Sequence, residues 1–458
     1  MFAEVRRSLV VGLVAGGVLA GCTSPEVAPD IVLITADALR ADHLSINGYP
    51  RETSPNIDRF AREAWHFTEA VTVIPKTGPA LTTMFTGHQT DTHRVRTNLW
   101  RMPRALPVLA ERLGDEGYRT AAFVSNPAVG ASMGFARGFD TFKELFAGDG
   151  VSAVNAAFLQ WAADEWTRPS FVWLHYIDPH GPYDPPPALE ALFVDDEWAQ
   201  SSARVSLDYE ANQIEGGSPN KLLGAVPRYQ QLGDEDRVAV YVARYDAEIR
   251  HVDNAFGEVI RALEELGRYD NAMVLFTADH GESLGEHNFY FEHGWFAYDA
   301  TLRVPLMIKR PGQTEGGIVE AQVSLVDIVP TVRDVVGASW EDDGAGGSVF
   351  RAPESRPLVK IESAGRYPET FHGLRSTRWK FLKSRALGSE ELYDLAADPG
   401  ETENRAGGEA ELATELRLRL SETRAALRSD ASPVAPPLEE DEIDARAREQ
   451  LKALGYLQ

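Results

Sequence analysis

IVLITAD (Ile31–Asp37) is the stretch from which the fold is read. By its length and β-branching, Ile31–Ala36 is a buried strand, and it ends on a carboxylate, Asp37. Three further runs have the same form. Thr120–Val124 ends at Ser125-Asn126, Phe171–Leu174 runs into His175 and then Asp178-Pro179-His180, and Met273–Thr277 ends at Asp279-His280-Gly281. Buried strands alternating with helical patterns predict α/β layers around a largely parallel sheet. Open sheets of this kind bind ligands at the carboxyl ends of their strands. Four polar endings of that type are hard to explain as solvated loops.

Helical patterns fill the gaps. Ser54-Pro55 reads as a cap with Pro in the first turn, followed by a buried face of Ile57, Phe60, Ala61 and Trp65. A second helix runs near Leu106–Leu113, closed by Gly117. The longest spans Arg237–Leu266, with Val242, Tyr245, Ile249, Val252 and Phe256 on one stripe. Pro187–Asp236 lacks periodicity, so it reads either as an insertion over the site or as a surface loop. After Ser339 the composition changes. Short strand patterns at Leu358–Ile361, Trp379–Leu382 and Leu392–Leu395 suit a small antiparallel subdomain. A helix carrying Leu412, Leu416, Leu420 and Leu427 follows. Beyond the Pro-rich Ser432–Pro437 lies a last short helix that ends in Ala453-Leu454-Gly455-Tyr456.

The chain has 458 residues and a formal charge of −24, with 43% apolar and 25% charged residues. That is globular composition, long enough for one very large domain or two unequal ones. A surface so acidic repels the phosphate backbone, so no nucleic-acid partner is expected. With a single cysteine, Cys22, neither an internal disulfide nor a CxxC metal site can form.

That cysteine sits in a leader. Arg6 and Arg7 precede the apolar stretch Leu9–Leu19, which is too short to span a bilayer comfortably, and the stretch ends in Leu19-Ala20-Gly21-Cys22. This ending resembles the bacterial lipobox, in which the cysteine becomes diacylated after cleavage. It implies a lipid-anchored protein of the bacterial cell envelope, on the periplasmic or extracellular face of a membrane.

In combination, several motifs carry a wider resemblance. They are Leu33–Glu63 (LITADALRADHLSINGYPRETSPNIDRFARE), Thr277–His287 (TADHGESLGEH), Arg303–Gly312 (RVPLMIKRPG), and the later GLRSTRWKFL and ELYDLAADPGE. Over roughly Asp30–Ala406 the chain resembles the sulfatase-like branch of the alkaline phosphatase superfamily. The resemblance implies an alkaline-phosphatase-like α/β/α sandwich with a mostly parallel sheet, a small C-terminal antiparallel-sheet subdomain and a helical tail. The expected divisions are a leader over 1–22, a tether over 23–29, a catalytic domain over 30–340, the small subdomain over 341–406 and the tail over 407–458.

It further implies a metal site. Asp37 matches the family's first metal carboxylate, and Asp279 and His280 match the ligands of its second metal loop. A cation bound by two carboxylates and an imidazole keeps open positions for a nucleophile and a substrate oxygen. Sulfatases often carry two adjacent acids in the first loop, where this chain has Ala38. One divalent ion is expected, with Zn, Mn and Ca as candidates, and the Asp-His pair favours Zn or Mn.

The nucleophile position departs from the family. Sulfatases place Cys-X-Pro-X-Arg or Ser-X-Pro-X-Arg ten residues before a Thr-Gly and convert the first residue to formylglycine. Counting back from Thr86-Gly87 reaches Thr77-Gly78-Pro79-Ala80-Leu81. Neither the convertible residue nor the arginine is present. Threonine here resembles the phosphodiesterases and phosphoethanolamine transferases of the superfamily, whose threonine attacks phosphorus. By the same resemblance Thr77 is nucleophile and metal ligand. Asn98 steadies an ester oxygen, and His180 and His293 contact the transferring group or leaving oxygen. His93 and His175 stand behind them. In many sulfatases Gly-Lys-Trp-His cradles the sulfate; this chain has Phe123-Val124-Ser125-Asn126.

The expectation is therefore a metal-dependent, sulfatase-like hydrolase or transferase of sulfate or phosphate esters, with phosphoryl chemistry favoured. Its substrate would be a small-molecule, glycan or lipid-headgroup ester. The alternative is a noncatalytic envelope lipoprotein that binds a glycan or lipid headgroup.

Overall fold

The computed structural model describes residues 28–458 apart from 147–149, 195–202, 209–223, 342, 352–356, 365–370, 385–387, 430, 434–436, 440–441, 444 and 457–458. The leader and Cys22 lie outside the described residues, as do residues 195–202 and 209–223 of the stretch between Pro187 and Asp236.

Eight strands form the main sheet: β1 (Asp30–Ala36), β2 (Trp65–Phe67), β3 (Arg119–Val124), β4 (Thr141–Glu144), β5 (Ser170–Tyr176), β6 (Ala272–Ala278), β7 (Leu306–Lys309) and β8 (Gly317–Val319). Their order is β8-β2-β7-β6-β1-β5-β3-β4. Five of the seven pairings are parallel; β7 runs antiparallel to both β6 and β2. Every residue of β1, β5 and β6 is buried, as expected of central strands covered on both faces. Each fully buried Val, Leu, Ile or Phe contributes about 1.5–3 kcal/mol.

The two faces carry different helices: α1 (Pro55–Ala61), α2 (Thr77–Thr86), α3 (Leu109–Asp115), α4 (Gly150–Glu165), α5 (Val238–Glu265) and α6 (Ile328–Val336). Alternation along β5 sorts them. Trp173 meets Phe85 of α2 at 4.6 Å between ring centres. On the opposite face, Phe123, registered with Leu174, meets Phe158 of α4 at 6.1 Å. Phe276, registered with Ile34, meets Phe256 of α5 at 5.0 Å, and Phe256 meets Phe60 of α1. A sheet sandwiched between two helical layers follows.

A second, antiparallel sheet holds β9 (Val359–Glu362), β10 (His372–Arg375), β11 (Trp379–Ser384) and β12 (Ser389–Asp394) in that order. Helix α7 (Ala410–Ser429) lays Ala413, Leu416 and Leu420 on its Leu374, Phe381 and Leu392. The last helix, α8 (Ala445–Ala453), instead buries Ala447 and Leu451 in the main core. The two helices of the tail thus serve different layers.

Two boundaries differ notably from expectation. Helix α1 stops at Ala61, so Trp65, read as part of its buried face, instead begins strand β2. The strand read as ending at Leu174 continues through His175 and Tyr176, so His175 lies inside the sheet. Thr35 on the neighbouring strand gives the imidazole one buried partner, its Oγ1 lying 2.8 Å from His175 Nδ1, while Nε2 is left without a hydrogen bond.

Candidate active site

Strands β6, β1, β5 and β3 are consecutive neighbours, so their carboxyl ends deliver Asp279-His280, Asp37, His180 and Asn126 to one place. Asp37, Asp279, His280 and Thr77 have no exposed surface. Asp37, Asp279 and His280 each offer a ligand atom, all within 4.8 Å of one another. This is a possible cation site built from the three residues read from the sequence.

The polar bookkeeping at that point is incomplete without a positive charge. Asp279 Oδ1 accepts from the backbone N–H of Ala38 at 3.1 Å and of His280 at 2.8 Å. Its Oδ2, like Asp37 Oδ1, receives no hydrogen bond. Asn126 donates to Asp37 Oδ2. Burial and the neighbouring Asp279 carboxylate push Asp37 well above the ordinary carboxylate range, and burial raises Asp279 to about 7. His280 Nδ1 lies 2.9 Å from the Gly281 carbonyl, which fixes its proton there. The free Nε2 lone pair then faces Asp37 Oδ1 at 3.6 Å and Asp279 Oδ2 at 3.5 Å. Two orphaned carboxylate oxygens and an imidazole nitrogen converging in a buried site fit a divalent cation.

Thr77 is the first residue of α2, whose end is closed by Gly87 in the left-handed conformation, φ +73°. Its hydroxyl lies 3.4 Å from both Asp37 Oδ2 and His280 Nε2. Asn98 is brought alongside, its Oδ1 accepting from the Gly78 N–H at 2.9 Å, which leaves its Nδ2 buried without an acceptor. The His293 ring lies 4.2 Å from that of His280 and 5.0 Å from that of His180. Its Nδ1 is 3.1 Å from Glu282, whose carboxyl burial pushes well up. Burial lowers all three imidazoles, with His180 at about 4. His175 Nε2 lies 3.8 Å from Asp37, and His93 meets Thr83 at 2.9 Å, so both stand behind the site. Every residue singled out in the fold proper converges.

Sequence reasoning assigned no role to three residues found at the site. Asn126 is read from the sequence as one of the polar strand endings and as a departure from Gly-Lys-Trp-His, with no role of its own. Lys76, adjacent to Thr77, is half-buried, with its ammonium 4.8 Å from the Tyr456 ring, and desolvation lowers its pKa. Tyr456 arrives from the end of the chain and places its hydroxyl 2.7 Å from His180 Nε2. The sequence pattern carries the last helix on through Gly455-Tyr456, whereas it ends at Ala453, and nothing in that pattern hints where the Tyr456 side chain lands.

Comparison with known proteins identifies the family and agrees with the fold. The Sulfatase family model matches residues 29–338, and the model of the N-sulphoglucosamine sulphohydrolase C-terminal region matches 285–426. The chain belongs to the sulfatase family of sulfate-ester hydrolases. It is 24% identical over 443 residues to an arylsulfatase of Clostridium perfringens, covering 82% of this chain and 90% of that one. It is 26% identical to a choline-sulfatase of Rhizobium meliloti, covering 82% of each. The crystal structure of the phosphonate monoester hydrolase of Agrobacterium radiobacter shares the fold, with a TM-score of 0.69, 23% identity and coverage of 88% and 95%.

Proposed function

We propose that this protein cleaves anionic esters with Thr77 as an unmodified nucleophile, and that it prefers phosphate or phosphonate esters to sulfates. The observation that carries this reading is the place of Thr77 Oγ1, 3.4 Å from Asp37 Oδ2 and from His280 Nε2. A divalent cation (Zn, Mn or Ca) held by Asp37, Asp279 and His280, with Thr77 beside it, would lower the hydroxyl's pKa and draw charge from an ester oxygen.

The chain's own residues supply the rest. Thr77 Oγ bonds to phosphorus as the bond to the leaving alcohol breaks, and its proton passes to the adjacent carboxylate or imidazole. His180 and His293 hold their Nδ1 protons toward Gly181 O and Glu282. An anionic ester raises their affinity for a second proton, which Nε2 then gives to the leaving oxygen. Lys76 and the Asn98 amide face the developing charge. Water then attacks the phosphothreonine, releasing the phosphoryl group and restoring the hydroxyl.

Sulfate fits this route less well. A formylglycine hydrate releases sulfate by collapsing to its aldehyde; Thr77 carries a methyl on Cβ and has no such exit. The chain's only cysteine is Cys22. By the same reading Cys22 carries a lipid anchor that holds the enzyme at the bacterial envelope.

A panel of aryl sulfates, phosphate monoesters, phosphodiesters and phosphonates, assayed with each metal, tests this. Thr77→Ala should lose turnover by several orders of magnitude while metal is retained, and Thr77→Ser should keep part of it. Intact mass should show unmodified Thr77 at rest and a phosphate adduct after quenching. Wild-type turnover by Thr77→Ala, or a wide preference for aryl sulfates, would overturn the nucleophile or the phosphoryl preference respectively.

A further inference from the structure

Tyr456, just beyond the end of α8, sits among the residues of the proposed reaction centre. Helix α8 closes with Gly455 at φ +74°, the Tyr456 N–H bonding back to Leu451 O at 2.8 Å and the Gly455 N–H to Lys452 O at 3.1 Å. This left-handed stop reverses the chain and aims Tyr456 inward. Upstream, buried Ile443, Ala447, Leu451 and Leu454 hold the helix against the body.

The side chain fills the space an ester needs. His180 Nδ1 is committed to the Gly181 carbonyl at 2.7 Å, so Nε2 accepts from the Tyr456 hydroxyl, also at 2.7 Å. The same hydroxyl lies 3.5 Å from Thr77 Oγ1. The ring lies under the Lys76 ammonium at 4.8 Å and edge-on to His180 at 5.4 Å. An atom under attack by Thr77 must come within about 3–3.5 Å of Oγ1. The phenol oxygen stands there already, bonded to the imidazole that serves the leaving oxygen. With Tyr456 seated, Thr77, Asp37, Asp279 and His280 have no exposed surface through which an ester could reach them.

We infer that Tyr456 occupies the leaving-group subsite, so that the chain's own tail is a tethered competitor an ester must displace. The inference rests on the reading of Thr77 and its neighbours as the reaction centre. An occupied subsite weakens apparent affinity by the fraction of molecules in which it is free, and leaves the chemical step alone. Tyr456 then selects for esters that bind well enough to dislodge a phenol.

Calorimetric binding of p-cresol, which mimics the tyrosine side chain and is not turned over, tests this with the full-length protein. Tyr456→Ala should bind p-cresol at least tenfold more tightly than wild type. With 4-nitrophenyl phosphate and 4-nitrophenyl sulfate, the variant's KM should fall at least fivefold with kcat held within twofold, and p-cresol should compete in the variant only. Tyr456→Phe, which keeps the ring and the tail's packing, should lie between the two. Equal p-cresol affinity, an unchanged KM, or a tenfold fall in kcat would overturn the inference, the last by making Tyr456 a participant in turnover. If neither protein cleaves any ester while p-cresol still distinguishes them, the proposed reaction fails and the occupancy stands.

Discussion

Asp37 and Asp279 leave the sheet side by side because the residues before them, Ala36 and Ala278, are partners in the parallel register of β1 and β6. Register alone therefore brings two carboxylates together, and burial makes their charge costly unless a cation compensates it. Asp279→Ala should lose bound metal, measured by elemental analysis, and with it the thermal stabilisation that divalent ions give the wild type. A ligand at a thousand times its Kd stabilises by about 4 kcal/mol. A variant that kept stoichiometric metal would show that the ligand set is wrong.

His93 gives a prediction about pH. Its Nδ1 accepts from the Val95 N–H at 3.1 Å and its Nε2 meets Thr83 at 2.9 Å, so it is buried neutral, with burial lowering its pKa to about 3. A base whose folded pKa is depressed contributes stability that is present above its unfolded value of about 6.5 and lost as pH falls toward about 3. Each pH unit within that window should cost about 1.4 kcal/mol. In urea titrations between pH 7.5 and 5, His93→Asn should lose stability less steeply than wild type. Parallel slopes would contradict the buried neutral state.

The antiparallel sheet is tied to the main body by a buried charge cluster. Lys360 Nζ lies 3.1 Å from Asp91 and 2.6 Å from Glu362, while Arg96 Nε reaches Glu362 at 2.9 Å. Removing one partner leaves the opposite charges buried and uncompensated, at roughly 3–5 kcal/mol. Lys360→Met, similar in volume, should show that loss in equilibrium unfolding while the far-ultraviolet dichroism is kept. A change within error of zero would mean that Arg96, with Arg424 and Arg428 beside Asp91 and His372 beside Glu362, neutralises the two carboxylates without Lys360.

Replacing Cys22 with Ala should abolish metabolic labelling by fatty acid and release processed protein from membranes. Persistent labelling would place the anchor elsewhere.

The local sequence determined the strands and their endings. Continuous apolar runs such as IVLITA specify strands covered on both sides, because a half-wetted strand would need polar residues in alternation. Asp37, Thr77, Asp279 and His280 were legible because each directly follows such a run or sits at a fixed spacing from Thr86-Gly87. Only the tertiary structure decided which endings become neighbours. The order β6-β1-β5-β3 is a matter of long-range pairing, on which local pattern is silent. It is the reason Asn126 reaches Asp37 across the gap between strands. The same holds with more force for Tyr456, which lies 379 positions from Thr77 along the chain yet 3.5 Å away in space. A glycine stop announces that a helix ends; the surface its helix is packed on decides where the next side chain points.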